Sequence, residues 1–114
     1  MSARVYKILR AGEWAQARAA GVFHGSAVDL ADGFIHFSTA AQAVGTARKH
    51  FAGERDLTLA CVEAAALGAA LKWEPSRGGD LFPHLYAPLP LAAIAWTAPL
   101  PQGADGAHVF PEMI

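Results

Sequence analysis

A chain of 114 residues with 54% hydrophobic and 17% charged residues has the makings of one folded domain, spanning 1–114, with a modest core. The formal net charge is −1 and Lys and Arg are scattered, which argues against duplex nucleic acid as a partner. No apolar run is long enough to cross a bilayer and the opening does not read as a signal peptide, so no membrane partner and a cytoplasmic location are expected.

The run Arg4 to Leu9 alternates and is rich in β-branched and aromatic residues, which predicts the first strand. Glu13 to Ala20 holds helix formers, with Gly21 as the C-cap. Val22 to His24 reads as a short strand, Asp32-Gly33 as a turn, and Phe34 to Phe37 as a buried strand. A helix follows from Thr39, with Ala40, Ala43, Val44, Ala47 and Phe51 expected on one face. Arg48, Lys49 and His50 complement the dipole in its last turn, and Gly53 closes it. Leu57 to Val62 predicts a buried strand, Ala64 to Ala70 a short helix and Leu71 to Glu74 an extended segment. After a loop over Ser76 to Asp80, two more strands are predicted at Phe82 to Tyr86 and Ala92 to Thr97. The Pro- and Gly-rich tail is expected to wrap the surface with Val109 and Phe110 tucked in. The lone cysteine, Cys61, lies inside an apolar run and reads as an inert buried thiol. Helices and strands mix without a βαβ rhythm, so the expected class is α+β.

Candidate chemistry gathers at two histidines. His36 lies among Phe34, Ile35 and Phe37, where burial favours a neutral ring that donates one hydrogen bond and accepts another. Such a ring can hold a ribose hydroxyl, or it can be a core histidine bonded to a carbonyl. Ser38, Thr39 and Gln42 crowd the start of the following helix, where unpaired N–H groups favour an anion such as phosphate. Thr39 and Gln42 also have the spacing of a capping box, an account that is complete without a ligand.

His84 and Tyr86 are two apart and share a strand face. Pro83 places them on an edge strand or at a strand start, so the pair either stacks on a base or nicotinamide ring or forms a packed aromatic patch. Glu74, between Trp73 and Pro75, is the candidate carboxylate: an apolar setting would raise its pKa for proton transfer, and an exposed surface glutamate is the alternative. His24-Gly25-Ser26 is similar to the His-Gly-small-residue strand with which some nucleotide-handling enzymes grip a ribose. No His-x-x-x-His, cysteine pair or carboxylate cluster argues for a metal, and no Gly-rich phosphate loop or Gly-x-Ser-x-Gly elbow is present.

These residues carry a family resemblance. Val5-Tyr6-Lys7-Ile8, Trp14, Gly21, Gly25-Ser26, Asp29, Asp32 to Ser38, Gln42, Trp73-Glu74 and Phe82 to Tyr86 resemble the bacterial "domain of unknown function 952" family over nearly the whole chain. That family is grouped with the ADP-ribosyltransferase-like superfamily, so the resemblance implies an α+β fold of two small packed sheets around a cleft for an ADP-ribose-like ligand. It implies that His36, Ser38, Gln42, His84 and Tyr86 belong to the site, with Glu74 as the nearest candidate for the ribose-orienting carboxylate. The expected partner is a small molecule, NAD or an ADP-ribose-like compound. The expected function is an NAD-dependent ADP-ribosyl or 2′-phosphotransferase-type enzyme, or a binding or sensor module that kept the cleft without the chemistry.

Overall fold

Every residue of β1 (Arg4–Leu9) after Arg4 is buried, Lys7 included, because both faces of this strand are covered. Side chains alternate along a strand. Val5 and Leu9 accordingly enter one hydrophobic cluster, with Ala17, Phe23, Ile35, Phe37, Val62, Leu85 and Leu89. Tyr6 and Ile8 enter a second, with Ala47, Leu57, Leu59, Cys61 and Leu100. Lys7 shares the face of Val5 and Leu9, so its ammonium must find a partner inside the protein.

The computed structural model, which describes residues 3–112, is a compact α+β domain of small antiparallel sheets and short helices. α1 (Ala11–Ala20) follows β1 and ends at Gly21 in the left-handed conformation, as expected. β2 (Val22–Phe23), α2 (Ala27–Asp32), β3 (Ile35–His36) and α3 (Ala40–His50) come next. β4 (Leu57–Glu63), β5 (Leu71–Pro75), β6 (Leu81–Leu85), β7 (Leu89–Pro90) and β8 (Ile94–Leu100) complete the order. The sheets run β1-β4-β8, β2-β7 and β3-β6-β5. Two sheets were expected and three are present: the two three-stranded sheets are linked by a bridge between Tyr6 and Ser38, and the third is a two-stranded ribbon, β2-β7, which the short proline-flanked run at Leu89 did not announce.

Several expectations are corrected. Asp32-Gly33 is not a free turn but the end of α2, with Gly33 as its left-handed C-cap. The missed signal is Ser26-x-x-Asp29: the Ser26 hydroxyl accepts from the Asp29 N–H at 3.2 Å, and the Asp29 carboxylate accepts from the Ser26 N–H at 2.9 Å. The Ala64–Ala70 helix is 3₁₀ in type and is broken at Gly68. On α3 only Ala43 and Ala47 are fully buried, and Val44 is 41% exposed. Two alanines give a narrow contact face, which lets the helix lie close against β1. In the tail, His108 Nε2 is 2.7 Å from the Glu54 carbonyl and Phe110 packs on the second cluster, whereas Val109 is 52% exposed.

β6 is the central strand of its sheet and Pro83 sits inside it, not at an edge. The Pro83 carbonyl accepts from the Phe37 N–H at 2.9 Å, so the donor that proline lacks lies on the same side, toward β3. The rung at Phe37 can therefore form only one of its two bonds, and β3 stops at His36. His36 and His84 are left as directly opposed partners at the last pair of the ladder.

Candidate functional site

The β3–β6 register sets two imidazoles side by side. His36 opposes His84 across the ladder, with ring centroids 5.5 Å apart and planes at 69°. Phe34 lies against both: it stacks on His84 at 4.0 Å, tilts against His36 at 4.6 Å and reaches Tyr86 at 5.2 Å. The two histidines that sequence reading singled out therefore share one location.

Each ring is held at Nδ1 by its own carboxylate. Asp29, brought in by α2, has its Oδ1 2.7 Å from His36 Nδ1 and accepts the His36 backbone N–H at 3.1 Å. The same carboxylate takes both bonds of the Lys7 ammonium, at 3.1 and 2.9 Å. Burial pushes the Asp29 carboxyl up, but the His36 ring, the Lys7 ammonium and the Ser26 amide outweigh it and hold the group well below the usual carboxylate range. Burial likewise pulls the Lys7 ammonium below its ordinary value, against the pull of Asp29. Asp29 is thus a buried anion with every neighbour arranged around it.

On β5, Glu74 Oε1 lies 2.8 Å from His84 Nδ1 and accepts the Tyr86 hydroxyl at 2.7 Å. The His84 ring and the Tyr86 hydroxyl hold Glu74 below the usual carboxylate range, the reverse of the raised value expected from its apolar neighbours. Glu74 in turn raises the Tyr86 hydroxyl. Trp73, which was to supply that apolar setting, is 41% exposed.

A cleft of about 380 Å³ opens beside this ladder, and its walls include Lys7, Arg10, Asp29, Asp32, His36 and His84. Ser38 and Thr46 also line it, with their hydroxyl oxygens 2.8 Å apart. Arg10 is bound to Glu54 through two bonds of 2.7 and 2.9 Å. Thr39 and Gln42 do not line the cleft. The Gln42 amide oxygen accepts from the Thr39 N–H at 3.0 Å, the Thr39 hydroxyl accepts from the Gln42 N–H at 3.2 Å, and the Gln42 amide donates to the Leu81 carbonyl at 2.8 Å. Their polar groups close the cap of α3 and pin it to β6.

Residues 8–97 match the model of the family described as "Protein of unknown function (DUF952)". The chain belongs to that family. This DUF952 chain is 54% identical to protein CC0527 from Caulobacter crescentus in its crystal structure, over 93% of each chain, with a TM-score of 0.90. The solution structure of CC0527 matches at 55% identity, over 90% of this chain and 89% of that one, with a TM-score of 0.82. Both structures of the relative are described as structural genomics targets, without an activity. No curated protein matches the chain.

Of the residues expected in this DUF952 site, His36, Ser38 and His84 face the cleft, Glu74 and Tyr86 support His84, and Thr39 and Gln42 serve the fold. His24 is exposed and lines a smaller cavity with Tyr86 and Pro88; that cavity shares Asp29 with the cleft, whose walls do not include His24. Gly25 beside it has a different role. Its φ is +126°, and a Cβ there would come within 3.0 Å of the Asp29 Cβ. Lys7, Asp29 and Asp32 were missed as site residues. All three stand among the residues that carry the family resemblance, and Ser26-x-x-Asp29 was the local clue to the second; a lysine in an alternating strand otherwise reads as solvent-facing.

Proposed function

We propose that the cleft binds a nucleotide or ADP-ribose-like small molecule, that His36 grips it and that His84 takes a proton from it. The observation that carries this reading is the opposed histidine pair, 5.5 Å between ring centroids, with each Nδ1 held by a separate carboxylate. A carboxylate at Nδ1 keeps that nitrogen a donor and leaves Nε2 as the working nitrogen. Two such nitrogens side by side suit a ligand that must be gripped at one atom and relieved of a proton at another.

The ADP-ribosyltransferase-like resemblance gives this chemistry a form. In a transfer from NAD, the bond between the ribose anomeric carbon and nicotinamide breaks. The acceptor oxygen then bonds to that carbon, and the acceptor's proton passes to an imidazole. His84 is assigned the proton and His36 the grip on the ligand. In this assignment Asp29 and Glu74 are positioning residues, acting through the rings. Ser38 supplies a hydroxyl to the ligand, while Tyr86 keeps Glu74 on His84. The phosphate role first expected at Thr39 and Gln42 passes to the cleft walls.

A second reading, a binding or sensor module without turnover, has one observation in its favour. Glu74 Oε1 is already taken by His84 and Tyr86, which leaves only its second oxygen to orient a ribose. The deciding experiment is an NMR titration of labelled protein with NAD and with ADP-ribose, with nicotinamide assayed in the same tube. Shifts at the His36 and His84 rings with nicotinamide release support the enzyme. Shifts without release over a long incubation support the module. Silence at millimolar ligand removes NAD and ADP-ribose from consideration.

A further inference from the structure

The cleft-facing nitrogen of His36 is already occupied by a group from the protein itself. Asp32, the last residue of α2, places Oδ2 3.0 Å from His36 Nε2. The two side chains are 48% and 33% exposed, so this bond lies at the cleft rim, unlike the buried bond between Nδ1 and Asp29. A carboxylate only accepts, so a ring held by Asp29 at Nδ1 and by Asp32 at Nε2 donates from both nitrogens, as an imidazolium. An oxyanion of a ligand would make the same demand on the same nitrogen.

We infer that His36 Nε2 is the heart of a phosphate subsite, and that the Asp32 carboxylate fills that subsite until a phosphate-bearing ligand displaces it. This rests on the proposed nucleotide-type ligand and names the part of it that is recognised first. Three features support the exchange. Asp29 fixes the ring from behind, so the position of Nε2 does not depend on Asp32. Asp32 is the terminal residue of a short helix, followed by a left-handed glycine, so its side chain can turn to solvent without moving β3. Arg10, bound to Glu54 through Nε and Nη2, brings positive charge to the same cleft, and Ser38 and His84 bring polar groups to its walls. A phosphate carries more charge than a single carboxylate and more acceptor oxygens, which is why it wins the exchange. Acetate, the equal of Asp32, does not.

Inorganic phosphate is the probe, followed by NMR at the His36 ring nitrogens and at the Asp32 carboxyl carbon. In the wild type, phosphate should move both signals together and acetate neither. Asp32→Asn keeps an acceptor of the same shape without the charge, and it should bind phosphate roughly twofold to fivefold more tightly, the scale of one half-exposed ion pair released. Asp56→Asn removes one negative charge from the turn after α3 and controls for overall charge. The inference is overturned if the Asp32 carboxyl stays still while phosphate binds, or if Asp32→Asn gains no more than Asp56→Asn. It is also overturned if ADP-ribose perturbs the cleft while inorganic phosphate binds neither form. That last outcome leaves the nucleotide reading standing, whereas silence from both compounds removes the two together.

Discussion

In the pair on β3 the carboxylate is buried, Asp29 at 2%, and the His36 ring stands open at 33%. In the pair on β6 the ring is buried, His84 at 6%, and Glu74 lies at the surface at 36%. The chemistry of the two contacts is the same and the energetics are opposite. A buried carboxylate with a buried ammonium is a structural commitment, since removing either leaves the other without compensation. A surface carboxylate on a buried ring can be lost at little cost to the fold, but the ring then loses its orientation. One pair of the ladder is therefore tied to stability and the other to tuning.

The strongest way to break this contrast is Asp29→Ala. It strands Lys7 and frees His36, and it should destabilise the chain by about 3–5 kcal/mol in denaturant titration. A loss under 1 kcal/mol would mean that the buried network contributes little. Acid should act on the same group. Folding depresses the Asp29 carboxyl, so its stabilisation is present above the unfolded value of about 3.9 and is lost as pH falls below it. Wild-type stability should decline below about pH 4 more steeply than that of Asp29→Asn, and parallel curves would exclude Asp29 as the source.

Thr39→Ala tests a group outside the ladder. It opens one side of the α3 cap and should cost about 1 kcal/mol. The ligand-induced shifts at His36 and His84 should be unchanged, and a changed response would return the helix start to the site. The smallest effect on stability belongs to Glu74→Gln, which should lose less than Thr39→Ala. Its consequence should appear in the NMR signals of the His84 ring and in a weakened response of that ring to ligand. An unchanged ring would dissolve the distinction between tuning and stability.

What could be read in advance follows from where the information is local. The alternation of β1, the capping box of α3 and the glycine that ends α1 are short-range patterns with few alternatives, and each appears where expected. The pairing of His36 with His84 depends on a register between strands nearly fifty residues apart, which no window of sequence displays. α2 was hidden by its shortness, since six residues do not establish a helical period, and Asp32-Gly33 satisfies turn chemistry equally well. Lys7 went unread as a site residue for a tertiary reason: alternation implies a wet face only where one face is wet, and β1 is covered on both.

Gly25 extends the reach of the site beyond its polar residues. The space beside its α-carbon is bounded by the Asp29 side chain at 3.0 Å, in a backbone conformation that side chains avoid. A single methyl group there would press on the Asp29 Cβ and lie 3.6 Å from its Oδ2, and so act on both Lys7 and the His36 ring. The geometry of the imidazole is thus set partly by an empty volume, and a screen that scores only contacts made would pass over position 25.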